Sequence, residues 1–136
     1  MVDNKVGLVM LVDDNETDNF ISEKIIEMAG FAERVITMDS GSSALEYLQE
    51  NGAVEENIPD IIFLDINMPF VDGFVFLFEF ERFSDLVKSK SKIVILSSSD
   101  NKRDIDRIVD NQFVINYVVK PLTTEALKKI DSMLNP

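Results

Sequence analysis

The 136-residue chain contains no cysteine and no histidine. The first absence excludes disulfides, thiolate catalysis and zinc–thiolate sites. The second removes the usual general base and every imidazole ligand. A metal bound here would therefore be a hard cation held by oxygen. Basic residues are also scarce: 13 against 25 acidic ones give a net charge of −12, and like charge opposes direct association with a nucleic-acid backbone. No apolar stretch approaches the roughly 20 residues of a membrane-spanning helix. The N-terminal Met1-Val2-Asp3-Asn4-Lys5 is polar and leads directly into an apolar run. The expectation is a cytoplasmic protein with no membrane partner.

An apolar fraction of 46% over 136 residues suits one domain with a real core. Its apolar runs include Leu8-Val9-Met10-Leu11-Val12, Ile61-Ile62-Phe63-Leu64, Ile93-Val94-Ile95-Leu96 and Tyr117-Val118-Val119. They are short, rich in β-branched residues and not alternating, as expected of strands buried on both faces of a parallel sheet. Each is followed by polar chemistry: Asp13-Asp14, Asp65, Ser97 and Lys120 in turn. In open α/β sheets the carboxyl ends of the strands form the ligand crevice, so three carboxylates, a hydroxyl and an ammonium are expected to converge there.

Helical patterns alternate with these runs. Thr17 to Ala29 carries a stripe of Ile21, Ile25, Met28 and Ala29 with Gly30 placed to end it, Val35 to Met38 reads as a short second strand, and Ser42 to Gln49 is helical. Glu50 to Pro59 reads as a loop, Gly73 to Phe83 as the third helix, Lys102 to Asp110 as the fourth, and the last starts at Thr124 with Leu127, Ile130 and Leu134 on one face. Five such alternations predict a parallel sheet with right-handed crossovers and helices on both faces.

Singly, each site residue has an ordinary explanation. Asp13, Asp14 or Asn15 could cap the first helix, Asp65 could open a turn before Met68-Pro69, Ser98 to Asp100 could be a loop and cap, and Lys120 a solvated amine. At four strand ends together they fit phosphoryl transfer. A carboxylate attacks phosphorus without a separate base, which makes Asp65 the candidate nucleophile. A divalent cation relieves the repulsion of clustered carboxylates, with Asp13 and Asp14 supplying the remaining charge. Lys120 and Ser97 suit the charge that spreads over the phosphoryl oxygens.

These residues resemble the receiver domain of two-component response regulators, of the stand-alone chemotaxis-regulator kind. The likeness is carried by Asp13-Asp14, by Phe63-Leu64-Asp65-Ile66-Asn67-Met68-Pro69 with Asp72-Gly73, by Ser97-Ser98 and by Tyr117-Val118-Val119-Lys120-Pro121, and it spans nearly the whole length. It implies a doubly wound (βα)5 three-layer sandwich with flavodoxin-like strand order 2-1-3-4-5, and one receiver over residues 1–136 with no output domain. It implies Asp65 as phosphoacceptor, Mg²⁺ bound directly by Asp14, Asp65 and the backbone carbonyl of Asn67 and through water by Asp13, and Ser97 with Tyr117 as a switch pair. The donor would be a sensor histidine kinase or histidine phosphotransfer protein, the recipient a downstream protein target, and catalysis limited to the domain's own phosphorylation and dephosphorylation. The family more often has Thr then Ala where this chain has Ser97-Ser98. A receiver fold independent of phosphorylation, or a small metal-dependent phosphatase, are the alternatives. In the third helix Phe74, Val75, Phe76, Leu77, Phe78 and Phe80 read as bulky core or as an exposed patch for dimerisation or docking, with Val75 and Phe78 outward. Lys88, Lys90 and Lys92 read as a solvated loop.

Overall fold

The computed structural model describes residues 5–136. Five parallel strands, β1 (Val6–Val12), β2 (Ala32–Met38), β3 (Ile61–Leu64), β4 (Lys92–Ser97) and β5 (Val114–Val119), pair in the order β2-β1-β3-β4-β5. The helices are α1 (Glu16–Ala29), α2 (Gly41–Asn51), α3 (Gly73–Phe80), α4 (Asp85–Lys90), α5 (Lys102–Val109) and α6 (Thr124–Leu134), with a 3₁₀ turn at Glu55–Asn57. The expected doubly wound architecture and order are both present.

Although the central strands are apolar throughout, alternate residues enter different cores, because successive side chains of a strand point to opposite faces. Met10, Val12, Ile62, Leu64, Ile93 and Ile95 face α2, α3, α4 and α5 through Ala44, Leu48, Phe76, Phe80, Val87 and Ile108. Val9, Leu11, Ile61, Phe63, Val94 and Leu96 face α1 and α6 through Ile26, Ala29, Leu127 and Ile130. The edge strands differ: β5 is only half-buried, and β2 exposes Glu33 and Arg34.

Local chemistry sets the helix ends. Asn15, Ser40, Asp72, Ser84, Asn101 and Thr123 each accept a hydrogen bond from a backbone N–H of the following first turn. Gly30, at φ 63°, closes α1 with its N–H on the Glu27 carbonyl while the Phe31 N–H reaches the Ile26 carbonyl, the paired closure that favours glycine. Gly73 answers a different demand: a Cβ there would lie 2.8 Å from the Ile66 Cα and 3.2 Å from the Asp65 carbonyl oxygen. Only a glycine lets α3 start that close to the end of β3.

Several expectations need correction. The third helix stops at Phe80 rather than Phe83, and Ser84 caps a separate six-residue α4 where the sequence suggested a lysine-bearing loop. Lys88, Lys90 and Lys92 are not free there, since their ammoniums donate to the carbonyls of Glu81, Glu55 and Ser89. On α1, Ile21 and Met28 are exposed and the buried face is Asn19, Ser22, Ile26 and Ala29. β2 starts at Ala32, three residues before Val35, and β5 is an edge strand instead of one buried on both faces. α2 runs on to Asn51, and the following loop contains the 3₁₀ turn.

The aromatic third helix is divided. Phe76, Leu77 and Phe80 are buried, whereas Val75 is 41% and Phe78 65% exposed. Phe80 packs edge-on against Phe83 and Phe113. Phe78→Glu should therefore change the unfolding free energy by no more than about 0.5 kcal/mol, while Phe80→Ala should cost about 3–5 kcal/mol. Urea denaturation checks both, and equal losses would place Phe78 in the core. Gly73→Ala should cost about 1–3 kcal/mol because the atoms it meets are backbone and yield little. An unchanged denaturation midpoint would contradict that close approach.

Candidate functional site

The sheet brings the four strand ends level. Val12 lies beside Leu64, Leu64 beside Ile95, and Ser97 beside Val119. Backbone bonds then fix the residues just beyond: the Asp13 N–H donates to the Met38 carbonyl at 3.1 Å, Asp65 N–H to Val12 at 3.0 Å and Lys120 N–H to Ser97 at 2.9 Å. Lys120 and Pro121 are joined by a cis peptide.

Carboxylate oxygens of Asp13, Asp14 and Asp65 lie within 4.8 Å of one another. Asp13 and Asp65 are buried and Asp14 is exposed. The Lys120 Nζ reaches into this cluster, 2.5 Å from Asp13 Oδ2 and 3.3 Å from Asp65 Oδ2, and it also lies 2.9 Å from Asp18 Oδ2. The expected convergence of three carboxylates and an ammonium is thus present, and a fourth carboxylate joins it. Asn67 donates its N–H to Asp65 Oδ1 at 3.3 Å. Ser97 is fully buried at the end of β4, and its Oγ accepts the Ser99 N–H at 3.2 Å. The half-buried Tyr117 donates its hydroxyl to the Ser99 carbonyl at 2.6 Å.

The charges are coupled. Burial raises the Asp13 pKa above the ordinary carboxylate value, against the lowering effects of hydrogen bonds from Lys120 and the Asn15 amide, and the neighbouring Asp65 charge adds to the rise. For Lys120 burial opposes the charged form, but hydrogen bonds to Asp13 and Asp18 and the charges of Asp65 and Asp13 outweigh it, so its pKa is raised. The two directions are compatible, because the ammonium faces several anions whereas Asp13 faces one cation and a second buried carboxylate. Burial likewise raises the Tyr117 pKa, hydrogen bonding to Ser97 and Ser99 opposes this, and the charges of Asp104 and Asp65 reinforce it.

One ammonium among four carboxylates leaves a surplus of negative charge at an all-oxygen donor set. That is the chemistry a hard divalent cation fits, and Asp13, Asp14 and Asp65 are the residues that could hold it. Two contributors are not legible in the sequence. Asp18 stands one turn beyond the acidic pair, and nothing in the sequence links it to Lys120 across 102 residues. Asn19 is buried and donates to the carbonyls of Asp13 and Met38, joining α1 to the ends of β1 and β2. The sequence gives no signal for it, because the apolar stripe of Ile21, Ile25, Met28 and Ala29 marks a different face from the one that holds Asn19, Ser22 and Ile26.

A family model of the response regulator receiver domain matches residues 9–130. The chain belongs to that family. Among curated proteins it is 28% identical over 129 residues to the response regulator Rcp1 of Synechocystis, covering 93% of this chain and 85% of Rcp1. Among solved structures, a two-component response regulator from Cytophaga hutchinsonii superposes with a TM-score of 0.88 at 35% identity, covering 98% of this receiver and 100% of that chain. The Mn²⁺-bound form of Rcp1 superposes with a TM-score of 0.69 at 26% identity, covering 94% and 91%. No helix among the described residues is long and apolar enough to cross a membrane.

If the acidic trio holds a cation, Asp14→Ala should weaken Mg²⁺ binding roughly tenfold or more by removing one charge and one ligand. A calorimetric or fluorescence titration with Mg²⁺ measures this. Unchanged affinity would leave Asp14 outside the site.

Proposed function

We propose that this receiver takes a phosphoryl group onto Asp65 from a phosphohistidine of a sensor kinase or histidine phosphotransfer protein, with Mg²⁺ as its resident cation. The observation that carries this reading is the buried Asp65 carboxylate, set at a strand end inside the acidic trio and 3.3 Å from the Lys120 ammonium. Asp65 supplies a carboxylate oxygen that bonds to phosphorus as the bond from phosphorus to the donor nitrogen breaks. The electron pair leaves with the imidazole, and no proton has to be taken from the nucleophile. Lys120 stabilises charge on the phosphoryl oxygens, and loss of the group to water returns the resting state. The receiver's catalysis is confined to these two steps.

Asp14, Asp65 and the Asn67 carbonyl are assigned to hold the cation directly and Asp13 through water. A bound divalent cation supplies neutralisation of the carboxylates and of the incoming phosphoryl oxygens. The Mn²⁺-bound form of Rcp1 and the all-oxygen donor set support a cation of this kind.

Ser97 and Tyr117 are assigned as the switch, with the Ser97 hydroxyl moving toward the phosphoryl group and the Tyr117 ring turning inward. The existing bond from Tyr117 to the Ser99 carbonyl couples the aromatic side chain to the loop after β4, which makes such a change transmissible. The output surface is then α5, β5 and α6, where Val109 and Val119 stand exposed, and it acts on a downstream protein.

Incubation with Mg²⁺ and acetyl phosphate should place one acid-labile phosphoryl group on the wild type and none on Asp65→Asn, whose amide keeps the shape and loses the anion. Undiminished incorporation by the variant would refute the assignment.

A further inference from the structure

An ammonium has three N–H donors. In this site the Lys120 Nζ has three carboxylate acceptors, Asp13 at 2.5 Å, Asp18 at 2.9 Å and Asp65 at 3.3 Å. A phosphoryl oxygen arriving at Asp65 finds no uncommitted N–H and must replace one of these partners. The partners are unequal. The side chains of Asp13 and Asp65 are each 7% exposed, whereas that of Asp18 is 35% exposed. Releasing a buried carboxylate strands its charge, while a half-exposed one returns to water at little cost. Asp13 and Asp65 also belong to the metal-competent trio, and Asp18 does not.

Two further features equip Asp18 for release. It lies in the first turn of α1, where its own N–H is capped by Asn15 Oδ1 at 3.0 Å, so its backbone stays fixed and its charge remains favoured by the helix N-terminus without Lys120. It also lines an open groove of about 270 Å³ with Ser98, Lys120 and Pro121, which gives the freed carboxylate room beside the ammonium.

We propose that Asp18 is a positioning residue that holds Lys120 in the resting site by occupying the hydrogen bond that a phosphoryl oxygen takes over, so that its displacement sets the rate of phosphorylation. This rests on Asp65 as the phosphoacceptor. Asp18 acts as an internal stand-in for the phosphoryl anion: it delays phosphorylation, leaves when the group arrives, and competes for Lys120 again while the group is held.

The test is a double-mutant cycle with acetyl phosphate and Mg²⁺, using wild type, Asp18→Asn, Lys120→Ala and the double variant. Asp18→Asn should raise the phosphorylation rate roughly two- to fivefold, the range for losing a partly exposed charged partner. The gain should disappear when Lys120 is already alanine, and Asp18→Glu should return the rate toward wild type. As a readout apart from turnover, the Lys120 side-chain amine resonance should shift in unphosphorylated Asp18→Asn. An equal gain in both backgrounds would mean simple repulsion of the anionic donor and would overturn the proposal, as would no gain, a slower rate or an unmoved Lys120 resonance. A wild type that takes no phosphoryl group at all would instead refute the parent reading.

Discussion

The site depends on one constraint: a single lysine ammonium sits among more carboxylates than it can neutralise. Lys120 is tied through its backbone to Ser97 and through its side chain to Asp13, Asp18 and Asp65, so it joins the ends of β4 and β5 to those of β1 and β3 and to α1. Attraction in a partly desolvated crevice is much stronger than in water, which keeps the ammonium charged. The same desolvation makes the uncompensated part of the cluster costly, and the raised pKa of Asp13 expresses that cost. A site built this way is incomplete without further positive charge and is ready to exchange partners when an anion arrives.

The remainder of the fold holds these groups in place. Parallel pairing in register aligns the strand ends, and two apolar cores lock the central strands from both faces. Asn19 fastens α1 to the ends of β1 and β2. Gly73 lets α3 begin against Ile66 and Asp65, while Phe70, fully exposed at φ 67°, turns the chain between them in a conformation that a bulky residue seldom adopts. The half-buried β5 and the hydroxyl bond of Tyr117 put a partly open edge of the sheet next to the charged cluster.

Legibility in the sequence followed burial. β1, β3 and β4 were readable because both faces are covered, which requires unbroken apolar runs, and the polar residue after each run then marked the site. β2 is legible only from Val35 because its edge position tolerates Glu33 and Arg34. α4 is not legible, because six residues with only Val87 buried carry no helical stripe. On α1 the apolar pattern pointed to Ile21 and Met28, yet the side chains turned inward include Ser22 and Asn19, the latter held by hydrogen bonds to the carbonyls of Asp13 and Met38 that only the tertiary fold supplies. Asp13, Asp14, Asp65, Ser97 and Lys120 could be named from strand ends alone. Asp18 could not, since its link to Lys120 exists only once α1 is laid against the end of β5.

In the function proposed for it, the strand-end cluster places a phosphoryl group on the Asp65 carboxylate. Reductive trapping tests it most directly, because borohydride converts an aspartyl phosphate, but not a free carboxylate, into the corresponding alcohol. After exposure to acetyl phosphate and Mg²⁺, peptide mass spectrometry should find homoserine at Asp65 and nowhere else. Reduction at Asp13, Asp14 or Asp18 with Asp65 intact would rule out Asp65 as the phosphoacceptor.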